Sequence, residues 1–174
     1  STLSSLIAGI TLVLEHPFGI GDYIILSSVE GTVEDISFRS TRIRNADNVV
    51  ITIENSKVCA EYIQNANQRT SRLWQFTLGL TYDTTEEKIR RVTQDLTQLL
   101  QSQPTVQPNG VTVTLDKFND YSLDILVRVY LTTLPYAEYL KERHRLNLLI
   151  MQTVKNAGCE FAFPTTTVEM AKDK

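Results

Sequence analysis

The stretch Leu6–Leu14 is uncharged and almost wholly apolar. Leu3, Leu6, Ile7, Ile10 and Leu14 fall at helical spacing on one face, and Leu12 and Val13 lie off it, so the predicted helix over 2–15 is apolar nearly all round. A helix of that kind is buried in protein or lies against lipid. Pro17 ends it, because proline disfavours the helical region for the residue before it. The period then changes. Asp22–Leu26 and Val29–Arg39 flank a Ser-Ser connection, and Thr41–Arg44 and Val49–Glu54 flank the turn-forming stretch Asn45-Ala46-Asp47-Asn48. Val49–Ile53 is β-branched throughout, as a central strand would be. Asn55 or Ser56 is expected to cap a short helical turn through Ala60, and Tyr62-Ile63 to begin a last strand. The polar run Gln64–Ser71 is the expected domain boundary.

The second half alternates more cleanly. Trp74, Phe76, Leu78, Leu80 and Tyr82 predict a half-buried strand, and Asp83 has capping-box spacing to Glu86. Ile89, Val92, Leu96 and Leu99 mark a helix that ends before Pro104. Val111, Val113 and Leu115, then Leu123 through Leu131 at alternate positions, predict two strands joined at Asn119-Asp120. Thr133 and Pro135 suit the start of a second helix, buried through Leu146, Leu149, Ile150, Thr153, Val154 and Ala157, with Gly158 at C′. Glu160–Met170 reads as a final strand interrupted by Pro164. The order β-α-β-β-α-β is the ferredoxin-like, split-βαβ arrangement.

At 174 residues, 42% hydrophobic and 21% charged, the chain can bury a core without staples. Its net charge of −3 argues against nucleic acid as a partner. Cys59 and Cys159 have no CxxC or Cys/His ligand spacing, and are read as reduced thiols with one disulfide as the alternative. No run of ~18 apolar residues is present to cross a bilayer. The start on Ser1 suggests a piece cut from a longer protein near a membrane segment.

Chemistry-bearing motifs are few. His16 and His144 stand in no nucleophile motif. His144 lies among Glu138, Lys141, Glu142, Arg143 and Arg145, which read as a solvated helix face with weak ion pairs. Gly19-Ile20-Gly21-Asp22 lacks the Gly-rich helix start of a dinucleotide loop and reads as a tight turn. Arg39, Arg42 and Arg44 form either a solvated basic face or the lining of a water-filled ion path. No catalysis, metal or cofactor is expected.

Five stretches carry a family resemblance. Leu12-Val13-Leu14-Glu15-His16-Pro17-Phe18-Gly19-Ile20-Gly21-Asp22-Tyr23-Ile24, an apolar helix ending in Pro-Phe followed by Gly-Asp-Tyr-Ile, resembles the junction of pore helix and β domain in small-conductance mechanosensitive (MscS) channels. Val29-Glu30-Gly31-Thr32-Val33-Glu34-Asp35-Ile36 resembles the family's V-x-G-T-V-x-x-I strand. Arg39-Ser40-Thr41-Arg42-Ile43-Arg44 followed by Asp47 resembles its R-x-T-x-[IL]-R-x-x-D. Asn55-Ser56 stands where the family has Pro-Asn-Ser, with Glu54 in place of the proline. Ala157-Gly158-Cys159-Glu160-Phe161-Ala162-Phe163-Pro164 resembles G-I-x-F-x-[FY]-P.

The resemblance implies an α+β chain in three parts: the C-terminal half of a pore helix at 1–17, a small all-β (Sm-like) barrel or sandwich at 18–67, and a ferredoxin-like domain at 68–174. It implies a homo-heptameric cage, mainly cytoplasmic, beneath a cell membrane. The parent would reach the bilayer through segments missing from this chain, and would open under tension to pass ions and small solutes on hypo-osmotic shock. Leu6, Ala8, Gly9 and Leu12 would pack the pore helix. Pro17, Phe18, Gly21 and Asp22 would form the joint between helix and cage, ordinary turn or core packing being the alternative. The constriction lies upstream of this sequence, and any strand closing the cage lies near or beyond Lys174. Two rivals belong to other classes: an oligomeric RNA-binding protein, and a small-molecule sensor. The alternating strands lack the aromatic pattern of RNA-binding sheets.

Overall fold

The long apolar run at the start forms α1, Thr2–Glu15. A computed structural model of the chain describes residues 2–132 and 135–164. The chain divides into two units, Ser1–Arg69 and Thr70–Lys174.

In the first unit α1 is followed by β1 (Tyr23–Ile25), β2 (Glu30–Ile36), β3 (Ser40–Arg44), β4 (Val50–Glu54), the short helix α2 (Asn55–Ala60) and β5 (Gln64–Asn65). The strands make one antiparallel sheet in the order β4-β3-β2-β1-β5. Successive strands are neighbours until β5, which returns to the open side of β1. Thus the polar stretch from Gln64, expected as a linker, begins as an edge strand and continues into a 3-10 turn, Ala66–Gln68. The register between β2 and β3 shifts at Glu34. Such a bulge re-aims a side chain, and here Glu34 meets Arg44. Leu12, Phe18, Ile24, Leu26, Val33, Ile43 and Val58 form the core. Asn55 does not cap α2 with its side chain as expected. It is the first helical residue, fully buried, and its amide is spent elsewhere.

The second unit runs β6 (Ser71–Leu80), α3 (Glu86–Gln101), β7 (Thr112–Phe118), β8 (Leu123–Thr132) and α4 (Tyr136–Asn156). Its sheet is antiparallel in the order β6-β8-β7. Val92, Leu96 and Leu100 of α3 and Leu146, Ile150 and Val154 of α4 pack with Trp74, Leu80, Ile125, Val127 and Val129 of the sheet. The cap of α3 is Thr85, which accepts from the Lys88 N–H, and not Asp83. At the end of α4, Gly158 adopts φ +71°. Its N–H donates to Lys155 O at 3.0 Å, and the Cys159 N–H donates to Val154 O at 3.2 Å. These two bonds make a Schellman cap, in which glycine takes the left-handed position without a Cβ penalty.

Beyond it, Phe161 bridges Leu80 on the free side of β6, flanked by Thr81 N–H to Glu160 O and Ala162 N–H to Gly79 O. The remainder of the strand expected over Glu160–Met170 lies, from 165 on, outside the described residues, as does the expected helix-start residue Thr133.

Two expectations for α4 change. Arg143 does not belong to a solvated face: it stands on the inward stripe with Tyr139, Leu146 and Ile150, and its Nε is buried. Glu142 is also withdrawn from water, its side chain 12% exposed, because it receives Arg145 and the Thr105 hydroxyl together. Both cysteines are free thiols, Cys59 exposed and Cys159 buried.

Candidate functional site

The candidate site is the seat of α1 on the first unit and the joint that follows it. Ser5, Ala8, Gly9 and Leu12 are the buried residues of α1. Their spacing of three and four makes one face, composed of small side chains except for Leu12. That face meets α2 and the bend between β2 and β3. Ser5 Oγ lies 2.9 Å from Ser56 Oγ. The Cys59 thiol faces the Ala8 carbonyl at 3.8 Å. A Cβ built on Gly9 would stand 2.3 Å from Phe38 O and 2.8 Å from Asn55 Nδ2, so only glycine admits the helix this close. The bend is itself held by Asn55, whose amide donates to Ser37 O at 2.9 Å and Phe38 O at 3.2 Å and accepts from the Thr41 hydroxyl. Every polar atom of that buried amide is used, as burial requires.

The larger side chains of α1 face away from this seat. Leu14 is 76% exposed and Ile7 58%, with Leu3, Leu6, Ile10 and Val13 also on the outside. Leu6 therefore stands off the seated face, while Ala8, Gly9 and Leu12 are on it. Beside the seat, Gly9, Ile10, Val13, Leu14, Ile36 and Phe38 line an apolar groove of about 360 Å³.

At the joint, His16 turns the chain with φ +46° and still donates its N–H to Leu12 O. Pro17 is half-buried and Phe18 fills the core. Asp22 Oδ2 accepts from the Gly19 N–H at 2.9 Å and from Asn65 Nδ2 at 2.7 Å, and the same Asn65 amide reaches Pro17 O at 3.2 Å. Gly21, at φ +93°, presents its N–H to Val33 O. One carboxylate and one amide thus tie the end of α1 to β1 and β5. Glycines that resembled a phosphate loop serve this turn.

The three arginines differ in their surroundings. Arg44 is paired with Glu34 and also reaches Asn48 O. Arg42 is exposed on the same strand, and Arg39 is exposed in the bend before it. Ser5, Phe38 and Asn65 were not singled out by sequence pattern, because small polar residues and single turn residues carry no periodic signal. Asn55 was visible within its motif, but as a cap. Near α2 burial raises the Cys59 thiol above its ordinary range, and Glu15 adds to the effect.

Residues 1–68 match the family model described as "Mechanosensitive ion channel, beta-domain", and residues 75–161 match "Mechanosensitive ion channel MscS, C-terminal". The chain belongs to the MscS family of mechanosensitive ion channels. Among its MscS-family relatives are two channels of Methanocaldococcus jannaschii. The large-conductance mechanosensitive channel MscMJLR is 38% identical over 174 residues, 98% of this chain and 48% of the relative. The small-conductance channel MscMJ is 36% identical over 172 residues, 99% of this chain and 49% of the relative. The chain therefore spans about half the length of the curated relatives it matches. Among solved structures, Arabidopsis thaliana MSL1 superposes with a TM-score of 0.86 at 20% identity, over 95% of this chain and 59% of that one. Helicobacter pylori MscS in its closed state gives 0.80 at 24% identity, over 98% and 66%. These two likenesses are of fold. The MscS family is one of channels, which is not an enzyme class. Among the described residues no helix is long and apolar enough to cross a membrane.

Proposed function

We propose that this chain is the end of the pore helix and the cytoplasmic cage of a homo-heptameric channel in the cell membrane, one that opens under tension and releases ions and small solutes on hypo-osmotic shock. The observation that carries the reading is the two-sidedness of α1. Its small face is fixed to its own β unit, and its leucine and isoleucine face is left for lipid or for neighbouring copies. Seven such helices would be held by seven β units, each a helix followed by five antiparallel strands in an Sm-like arrangement. We read the second unit as ferredoxin-like, a reading supported by the bridge of Phe161 to Leu80 beside β6, and the ring of these units as the cage wall. Domain limits of 1–17, 18–67 and 68–174 follow functional roles, the helix moving and the β unit receiving the motion. Pro17, Phe18, Gly21 and Asp22 form the joint, with Asn65 as the clamp. Arg39 and Arg42 are the residues free to face an ion path. Opening is a population shift toward a state of larger in-plane area, to which bilayer-spanning helices respond.

The test is electrical. α1 is 14 residues, or ~21 Å at 1.5 Å per residue, against a hydrocarbon core of ~30 Å. The 174-residue chain alone should give no tension-gated current in patch-clamp recording. A protein carrying it behind membrane-spanning helices should give such currents and rescue channel-deficient cells from sudden dilution. Tension-gated current from the 174 residues alone, or none from the longer protein, would defeat the reading.

A further inference from the structure

The second unit breaks its own pattern twice at one place. On the helix-covered face of β6 the alternating positions are Arg72, Trp74, Phe76, Leu78 and Leu80. Opposite, the inward stripe of α4 runs Tyr139, Arg143, Leu146 and Ile150, with the exposed Tyr136 one turn before it. Arg72 and Arg143 therefore occupy positions that the periodicity of each element reserves for apolar side chains. Their guanidinium groups lie over aromatic rings. Arg72 Cζ is 4.6 Å from the centre of the Tyr139 ring and 5.8 Å from that of Tyr136. Arg143 Cζ is 5.6 Å from the same Tyr139 ring and 5.5 Å from Trp74.

Both side chains are half-buried, and the Nε atom of each is sealed from water with no acceptor. Among the described residues neither arginine has an ion pair. The neighbouring carboxylates Glu138 and Glu142 are committed to Lys141 and Arg145. Two like charges sharing one ring repel each other, and the aromatic faces offset only part of the cost of withdrawing them from water. A core needing only packing would use apolar residues here, and rule-breaking positions of this kind belong to functional or strained sites. Contact with the rings also holds each guanidinium group in place, and a held fork is what recognises an oxyanion through paired N–H donors.

We propose that Arg72 and Arg143 form an oxyanion-binding site, taking a carboxylate or phosphate group at the solvent-facing ends of the two guanidinium groups. The inference is independent of the channel reading. The oxyanion comes either from a soluble ion or from an acidic side chain of a second copy of this chain.

Calorimetric titration of the 174-residue protein with sodium phosphate and with sodium acetate, at constant ionic strength set by chloride, tests it. One saturable site is expected for at least one of the two. Arg72→Gln and Arg143→Gln should each weaken it by about tenfold or more, as loss of a charge-assisted fork would. Arg72→Lys and Arg143→Lys keep a cation over the rings and remove the fork. They should lose binding with melting temperatures near wild type, which separates recognition from folding. Sedimentation velocity over a concentration series distinguishes the sources. Self-association that Arg143→Gln weakens and phosphate competes away assigns the oxyanion to a second copy. Saturable phosphate or acetate binding by a protein that does not associate assigns it to a soluble ion. Neither anion binding nor arginine-dependent association, or anion binding equal in wild type and all four variants, would overturn the proposal.

Discussion

Replacing Gly9 by alanine sets two well-defined effects against each other. In an exposed helix interior the change would stabilise by ~1 kcal/mol, because alanine restricts the unfolded chain. In this seat the new methyl would lie 2.3 Å from the carbonyl oxygen of Phe38, where ordinary carbon–oxygen contact needs roughly 3.3 Å. The oxygen belongs to backbone, so relief requires α1 or the bend to move by about 1 Å, an overpacking strain of ~1–3 kcal/mol. Asn55 is 2.8 Å from the same methyl, and its amide holds Ser37 and Phe38. Displacing a buried amide from its acceptors adds ~1–3 kcal/mol. The net expectation is a loss of about 1–5 kcal/mol. Gly19 is the control, since a Cβ there meets nothing within 4 Å. Gly19→Ala should stay within about 0.5 kcal/mol of wild type. Urea titration followed by far-UV circular dichroism measures both. The single tryptophan, Trp74, lies in the second unit, so its fluorescence should shift less than the dichroism. A Gly9→Ala protein as stable as wild type, or more so, would refute the close seating of α1. In a gated channel, Gly9→Leu should also shift the tension threshold, because it unseats the helix that the joint steers.

Two further outcomes follow from the same geometry. The carboxylate of Glu142 is held below its ordinary range, first by the hydrogen bond from Arg145 and then by Thr105. Its contribution is therefore full above the ordinary carboxylate value of 4.5 and is lost as pH falls through the lowered one. Glu142→Gln should cost ~1–2 kcal/mol at pH 7 and flatten the acid limb of stability, measured as urea midpoints between pH 7 and pH 3. An unchanged acid limb would show that the pair contributes nothing. At the end of α1, His16 sits at φ +46°, a region that costs a side-chain-bearing residue ~1–2 kcal/mol. His16→Gly should raise the melting temperature, and a fall would mean that the imidazole makes a contact worth more than the strain.

Local pattern determined most of the helices and strands. Alternation in Trp74–Leu80 and Leu123–Leu131 and the helical spacing of Val92, Leu96, Leu146 and Ile150 are local consequences of burying one face, so they are written in the order of residues. Motif spacing carried the family, because turn chemistry around Pro17, Gly21 and Gly158 is also local. What tertiary structure decided is which face is buried against what. The packing set expected for α1 was Leu6, Ala8, Gly9 and Leu12, yet the seated face is Ser5, Ala8, Gly9 and Leu12 with Leu6 outside it, because backbone approach at Phe38 leaves no room for larger side chains. Asn55 looked like a cap and became the brace of a bend fourteen or more residues away in sequence. Asn65 looked like linker and became the clamp on Asp22 across forty-three positions. Arg143 read as solvated charge on its helix, and Arg72 carried no signal on its strand. Only the crossing of α4 over β6 turned them inward to share Tyr139, since sequence order is silent about which elements cross.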